Sequence, residues 1–143
     1  MADGFQVIVD IDAPPDAVWA VVGDPTSVPR WYPKYVAAEV DGETRVIRSA
    51  DGRELVERLL ERDEARRSYS YTVLSGAPVV DHRASFTVEP RGAGSRVVWR
   101  TEGRSTVEGA SLEDRVRVPH AGPRLAEGVS APVEHRPDGY RDR

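Results

Sequence analysis

The sequence contains no cysteine, no asparagine and only three histidines, His82, His120 and His135. The missing cysteine excludes disulfides, thiolate nucleophiles, iron–sulfur ligation and cysteine-type zinc sites. The missing asparagine leaves no acceptor for N-linked glycosylation. No two of the histidines stand at helical or hairpin spacing, so we predict no metal site and no cofactor.

A basic surplus and long apolar runs are also missing. The 143 residues carry 20 basic and 24 acidic side chains, a net charge of −4, whereas nucleic-acid binders usually carry a basic surplus. The longest apolar runs, such as residues 17–22, are far shorter than the roughly 20 residues that a membrane-spanning helix needs. Residues 1–15 contain neither Lys nor Arg, unlike a signal peptide. We therefore expect a cytoplasmic protein with no nucleic-acid partner and no membrane span.

The composition changes near residue 103. Residues 1–103 hold all three tryptophans, both phenylalanines and four of the five tyrosines. Residues 104–143 are rich in Pro, Gly and charge, and their large apolar residues are thinly spread. Forty such residues cannot bury a core of their own. We expect one domain, with residues 104–143 as its atypical C-terminal segment, a broken helix or partly irregular chain.

The periodicity of residues 1–103 predicts strands and two short helices. Alternating apolar residues indicate a first strand over residues 5–11, and helical spacing indicates a helix over residues 15–22 that ends at Gly23. Asp24-Pro25 is expected to open a second helix that closes near Trp31. Six strands are predicted to follow in antiparallel succession, at residues 35–41, 43–49, 52–62, 66–74, 80–89 and 97–101.

Four stretches carry a resemblance to a known family. They are Ala13-Pro14-Pro15-Asp16-Ala17-Val18-Trp19, Trp31-Tyr32-Pro33, Glu57-Arg58-Leu59-Leu60 followed by Asp63 and Tyr71, and Val97-Val98-Trp99. In this order they resemble the helix-grip fold of the START/Bet v 1-like superfamily, and within it the polyketide cyclase/dehydrase group of SRPBCC proteins. The resemblance implies an α+β fold, in which a curved antiparallel sheet of about seven strands and two short helices face a long C-terminal helix across a deep pocket.

The resemblance also implies that the pocket holds a hydrophobic or aromatic small molecule. Some members fold and dehydrate poly-β-keto chains into aromatic rings without a cofactor, and others only carry or sense a ligand. The chain departs from the family in residues 104–143, where Pro119 and Pro123 would interrupt a continuous helix. The closing element is therefore expected to be broken, displaced or supplied by another subunit of a homodimer.

Successive residues of a strand point to opposite faces, so alternate residues share a face, and we expect the aromatic-rich face to point inward. The inward set is Leu55, Glu57 and Leu59, then Tyr69, Tyr71 and Val73, then His82, Ala84 and Phe86, then Val97, Trp99 and Thr101, with Arg45 and Ile47 on a neighbouring strand.

Glu57 is the sharpest functional signal, because a carboxylate on an apolar face must be paired, hydrogen-bonded or protonated. Burial would raise its pKa and suit it to acid–base catalysis. The alternative is a structural pair with Arg45 or a hydrogen bond to a Tyr hydroxyl. His82 is a second acid–base candidate, since imidazole titrates near neutral pH. Its alternative is an exposed histidine at the rim, and Asp81 beside it is expected to face the opposite way.

The ligand-binding candidates are aromatic, apolar and cationic side chains of the same face. Tyr69, Tyr71 and Trp99 could stack on a flat ligand, and Arg45 could hold an enolate or carboxylate oxygen. Each has a structural alternative, plain core for the aromatics and a surface or paired role for Arg45. The full candidate set is Trp31, Arg45, Leu55, Tyr69, Tyr71, Phe86 and Trp99.

Two functions remain open from the sequence. One is a cofactor-free cyclase or dehydratase acting on a polyketide-type substrate, with positioning and one acid–base group supplying the catalysis. The other is a non-catalytic ligand-binding, carrier or partner-binding module, because a fold does not determine a function.

Overall fold

Seven strands and two short helices make up the described chain. The computed structural model describes residues 3–32 and 34–107. The elements are β1 (Asp3–Ile11), α1 (Pro15–Val22), α2 (Val28–Trp31), β2 (Tyr35–Asp41), β3 (Thr44–Ser49), β4 (Glu54–Asp63), β5 (Ser68–Ser75), β6 (Val79–Arg91) and β7 (Gly94–Ser105). Neither of the two described helices is long and apolar enough to cross a membrane.

The strands form one curved antiparallel sheet in the order β1-β7-β6-β5-β4-β3-β2. Consecutive strands from β2 to β7 are neighbours, and connections of two to four residues join them as hairpins. Only the link from β1 to β2 crosses the sheet, and it carries both helices over the inner face. This arrangement confirms the predicted fold class and places α1 against β6 and β7 and α2 against β2.

The period-two pattern decides which face of each strand is buried. On β7, Ser95, Val97, Trp99 and Thr101 are buried while the residues between them are more exposed. On β3, Arg45 and Ile47 are buried in the same way. The predicted inward residues His82, Ala84 and Phe86 are also buried on β6, whereas on β5 Ser70 is buried together with Tyr69 and Tyr71.

Helix α1 matches its predicted bounds, and its C-terminus depends on a close contact. Val18, Val21 and Val22 form its buried stripe. The backbone of Gly23 is right-handed, with φ −76°, so its conformation does not require glycine. A Cβ at this position would lie 2.6 Å from the Trp19 indole, which makes glycine the residue that fits.

The second helix is shorter than predicted and begins later. Asp24 does not open it, because its carboxylate instead accepts hydrogen bonds from the Thr26 backbone N–H at 2.9 Å and from the Thr26 hydroxyl. These bonds close a local turn that competes with helix formation. The helix starts at Val28 and ends at Trp31, and the side chain of Ser27 makes no capping hydrogen bond.

Three irregularities change the register of the central strands. The β4–β5 pairing shifts between Val56 and Glu57 and again between Leu59 and Arg62, so that Arg62 stands opposite the inward residue Tyr69. The β6–β7 pairing shifts between Val80 and Arg83. Such bulges turn the chain and re-aim side chains, and none of them was predicted.

The predicted start of the C-terminal segment, at residue 104, falls within strand β7. Strand β7 continues two residues beyond 103, to Ser105. The predicted broken or irregular segment lies, from residue 108 onward, outside the described residues.

Candidate functional site

A buried ion pair lies on the inner face, where β3 and β4 stand side by side. Arg45 and Glu57 are directly opposite each other in the register. The Arg45 guanidinium contacts one carboxylate oxygen of Glu57 through Nε at 2.8 Å and Nη2 at 2.5 Å. The two side chains are only 2% and 4% exposed. Of the alternatives for Glu57, the structure contains the pair with Arg45.

Arg45 also joins the sheet to the connection between the helices. Its Nη1 donates to the backbone carbonyl of Pro25 at 3.1 Å and to the Tyr69 hydroxyl at 3.3 Å. Its Cζ lies 4.8 Å from the centre of the Tyr71 ring, within cation–π range. A surface role for Arg45 is therefore wrong, and its position is set by four different partners.

Burial dominates the electrostatics of this site. It raises the pKa of the Glu57 carboxyl above its usual value, although the Arg45 guanidinium opposes that rise. It also raises the pKa of the Tyr71 phenol well above its usual range. Tyr71 is therefore protonated at neutral pH, and its oxygen accepts a hydrogen bond from Trp99 Nε1 at 3.0 Å.

Aromatic rings from four elements contact one another beside the ion pair. Phe86 and Trp99 stack with ring centroids 5.8 Å apart, and Trp31 packs edge-on against Phe86 at 5.7 Å. Tyr69 lies 5.7 Å from Phe86 and 6.0 Å from Tyr71. The predicted aromatic candidates thus form one buried cluster, and Leu55 packs at its edge.

His82 is buried, so the expectation of an exposed rim histidine is wrong. The residue is 7% exposed, and its ring lies 6.0 Å from that of Tyr71. Its Nδ1 accepts the backbone N–H of Val73 at 3.1 Å, and burial lowers its pKa to about 4. Asp81 faces outward as predicted and pairs with Arg104.

Glu57 and His82 lie on opposite sides of Tyr71. The Tyr71 ring contacts the guanidinium that holds Glu57 and also contacts the imidazole of His82. No hydrogen bond or ion pair between the two candidates is present among the described residues. They are therefore two separate polar positions on one aromatic wall and do not form a catalytic dyad.

Two residues that shape this face were not among the predicted site residues. Arg62, turned inward by the bulge in β4, donates to the carbonyl of Gly23 at 2.6 Å and lies 4.7 Å above the Trp19 ring. Thr101 is 1% exposed, and its hydroxyl has no hydrogen-bond partner. The inward parity of Thr101 was visible in the sequence, but the position of Arg62 depends on a bulge that leaves no local signal.

The other face of the sheet carries a polar groove of about 840 Å³ beside the β4–β5 turn. Serine, threonine, arginine and acidic side chains line most of it. None of the predicted site residues lines it, so we place the candidate site on the inner face. Within residues 3–32 and 34–107, no cluster of three or more His, Asp or Glu side chains could hold a metal ion.

Solved structures share this architecture. An uncharacterised protein from Bacillus thuringiensis is 21% identical, with a TM-score of 0.75 over 87% of this chain and 96% of that chain. The protein XoxI from Bacillus cereus is 21% identical, with a TM-score of 0.74 over 88% of this chain and 94% of that chain. Norcoclaurine synthase from Thalictrum flavum is 16% identical, with a TM-score of 0.70 over 90% of this chain and 84% of that chain.

No curated protein matches the sequence. A family model described as polyketide cyclase / dehydrase and lipid transport matches residues 4–131, which is most of the chain. This match agrees with the curved seven-stranded sheet and the two short helices described above. The chain belongs to the polyketide cyclase / dehydrase and lipid transport family, a small-molecule-binding branch of the SRPBCC superfamily.

Proposed function

We propose that the chain binds a hydrophobic, aromatic small molecule against the inner face of its sheet. The observation that carries this proposal is the aromatic cluster of Tyr69, Tyr71, Phe86 and Trp99 beside a buried Arg45–Glu57 pair. Aromatic walls with a few placed polar groups are typical of small-molecule sites. A structure of the similar norcoclaurine synthase holds dopamine and hydroxybenzaldehyde, both aromatic, which supports this ligand class.

The proposed contacts come from the sequence-predicted set. Trp31, Phe86 and Trp99 supply ring faces and edges, and Leu55 supplies apolar area at the border of the cluster. Arg45 and the tyrosine hydroxyls orient polar atoms of the ligand. The proposal includes a cytoplasmic location. It also includes a cover for this face, formed by residues 104–143 of the same chain or of the second chain in a homodimer.

Binding is tested with 2-naphthol as a probe and the intrinsic tryptophan fluorescence as the signal. We expect saturable quenching in the wild-type protein, because Trp31 and Trp99 belong to the proposed site. Phe86→Leu removes a stacking ring while keeping an apolar side chain, and it should weaken binding by about tenfold, as one aromatic contact contributes roughly 0.5–1.5 kcal/mol. Leu74→Ala changes a residue that is 50% exposed and serves as the matched control. Equal binding by all three proteins would contradict the proposed site.

A second candidate function is catalysis, favoured by the buried Glu57 with its raised pKa. As a base, Glu57 would take a proton from the carbon beside a ligand carbonyl. The electron pair of the broken C–H bond would move to the carbonyl oxygen, and the Arg45 guanidinium would stabilise the resulting enolate. Such a step needs no cofactor and begins both cyclisation and dehydration of poly-β-keto chains.

Proton exchange separates catalysis from binding alone. The deuterium exchange of the carbon-bound protons of 2-tetralone, followed by NMR, should be faster with the wild-type protein than in buffer. Glu57→Gln should lose this acceleration, whereas Glu54→Gln, on the same strand but 47% exposed, should keep it. If the wild-type protein binds 2-tetralone without accelerating exchange, the chain is a non-catalytic binding or carrier module.

A further inference from the structure

The hydroxyl of Thr101 lacks a hydrogen-bond partner although the residue is almost fully buried. Among the described residues, it is the single buried side-chain polar atom in this condition. An unsatisfied buried hydroxyl is costly for the folded protein, and such groups call for an explanation. One explanation is a ligand atom that forms the missing hydrogen bond.

Small residues surround Thr101 on the side nearest His82. Thr101 stands opposite Ala84 across β6 and β7, and Ala84 carries only a methyl group. The next inward position on β7 is Gly103, where a Cβ would lie 3.0 Å from the Cα of His82. Beyond Ala84 in the other direction lies the stacked pair of Phe86 and Trp99. Two polar side chains, Thr101 and His82, therefore lie on the adjacent strands β7 and β6, next to the small residues Ala84 and Gly103.

The hydrogen bond from the Val73 N–H determines which nitrogen of His82 carries the proton. Because Nδ1 accepts the Val73 N–H, the neutral imidazole carries its proton on Nε2. Burial lowers the pKa of His82 to about 4, so the ring is neutral at pH 7. The Tyr71 ring faces it, while Asp81 and Arg104 pair with each other on the outer side. His82 is then a hydrogen-bond donor through Nε2–H.

We propose that the Thr101 hydroxyl and the His82 Nε2–H together bind an uncharged oxygen of the aromatic ligand, a ketone carbonyl or a phenolic hydroxyl. The inference rests on the proposed binding function and makes Thr101 and His82 specificity-determining residues at the opposite end of the wall from Glu57. Both groups are neutral, so they compensate an uncharged oxygen better than a carboxylate, whose desolvation costs far more.

The test compares three probes with the same ring system. Naphthalene has no oxygen, 2-naphthol has a hydroxyl and 2-naphthoate has a carboxylate. Isothermal titration should show that the wild-type protein binds 2-naphthol about tenfold more tightly than naphthalene, as expected for one or two net hydrogen bonds, and binds 2-naphthoate most weakly. Thr101→Val keeps the shape of the side chain and should weaken 2-naphthol binding about fivefold while leaving naphthalene within about twofold. Thr87→Val, on the outer face, is the control and should change neither.

A second variant separates the role of His82 from a merely structural one. His82→Gln can still accept the Val73 N–H and still donate through its amide, so it should keep the preference for 2-naphthol over naphthalene. Its 2-naphthol affinity should have the same pH dependence between pH 5.5 and 8 as that of the wild-type protein. A difference in that range would put a titrating charge on His82 and overturn the neutral-donor assignment.

The outcomes distinguish the two proposals. If Thr101→Val weakens naphthalene and 2-naphthol equally, or changes neither, the inference fails while aromatic binding stands. If the wild-type protein binds none of the three probes, the proposed function fails and the inference fails with it.

Discussion

Replacing one member of the Arg45–Glu57 pair should destabilise the fold far more than replacing both members. The single changes are Arg45→Met and Glu57→Leu, and the double variant carries both. Each single change leaves one charge in a place where the side chains are only 2% and 4% exposed. The double variant leaves no charge and two apolar side chains of similar length.

The structure sets the expected magnitudes. Removing one member of a buried pair costs about 3–5 kcal/mol of unfolding free energy, because the remaining charge is uncompensated. The double variant avoids that penalty, although the Pro25 carbonyl and the Tyr69 hydroxyl lose their donor, at about 1 kcal/mol each. We therefore expect a loss of about 2 kcal/mol in the double variant, smaller than in either single variant.

The same two strands supply a matched control at the surface. Arg48 and Glu54 are the same residue types, also lie directly opposite each other, and form an ion pair at 2.7 Å. Their side chains are 40% and 47% exposed, so Arg48→Met and Glu54→Leu should each cost at most about 1 kcal/mol. Urea unfolding followed by tryptophan fluorescence measures all five variants. If Glu57→Leu costs no more than Glu54→Leu, Glu57 is not a buried, paired carboxylate and the electrostatic reasoning for the site fails.

Three further predictions concern single positions. The folded-state pKa of His82, about 4, lies below its ordinary value of 6.5, so the unfolded state binds more protons in between and acid destabilises the fold. From pH 7 to pH 5 this should lower the unfolding free energy by about 2 kcal/mol. In His82→Gln the decrease over the same range should be smaller by that amount. An equal decrease in the variant and the wild-type protein would refute the burial of His82. Gly23→Ala should lower the unfolding free energy, measured in urea, by about 1–3 kcal/mol, because the new methyl group meets the Trp19 indole under Arg62. An unchanged urea midpoint would show that the indole moves freely. Thr101→Val should raise the unfolding free energy of the ligand-free protein by about 1 kcal/mol, since it removes an unsatisfied buried hydroxyl, and a clear loss would mean that the hydroxyl has a partner after all.

Much of the candidate site was visible in the sequence because strand faces follow a local rule. Glu57, Tyr69, Tyr71 and Trp99 have the inward parity, and all four are buried in one cluster. The predicted alternatives for Glu57 included the pair with Arg45, and only the register between β3 and β4 selected it. Pairing across strands depends on hairpin geometry and bulges, which a single-strand pattern does not specify.

What the sequence determined by itself is what short-range physics controls. The order of one strand, two short helices and six strands follows from periodicities of 2.0 and 3.6 residues. The turns between neighbouring strands contain Gly42, Gly52 and Gly92, and all three have positive φ angles, which other residues rarely adopt. The exact bounds of α1 follow from its apolar spacing between Pro14 and Gly23.

The tertiary structure alone decided how distant polar groups are used. It buried His82, turned Arg62 inward over Trp19 and left the Thr101 hydroxyl without a partner. Each of these outcomes depends on a bulge or on contacts between residues far apart in the chain. The local pattern determines which side of a strand a residue occupies, and only the packing of the whole sheet determines what that residue meets there.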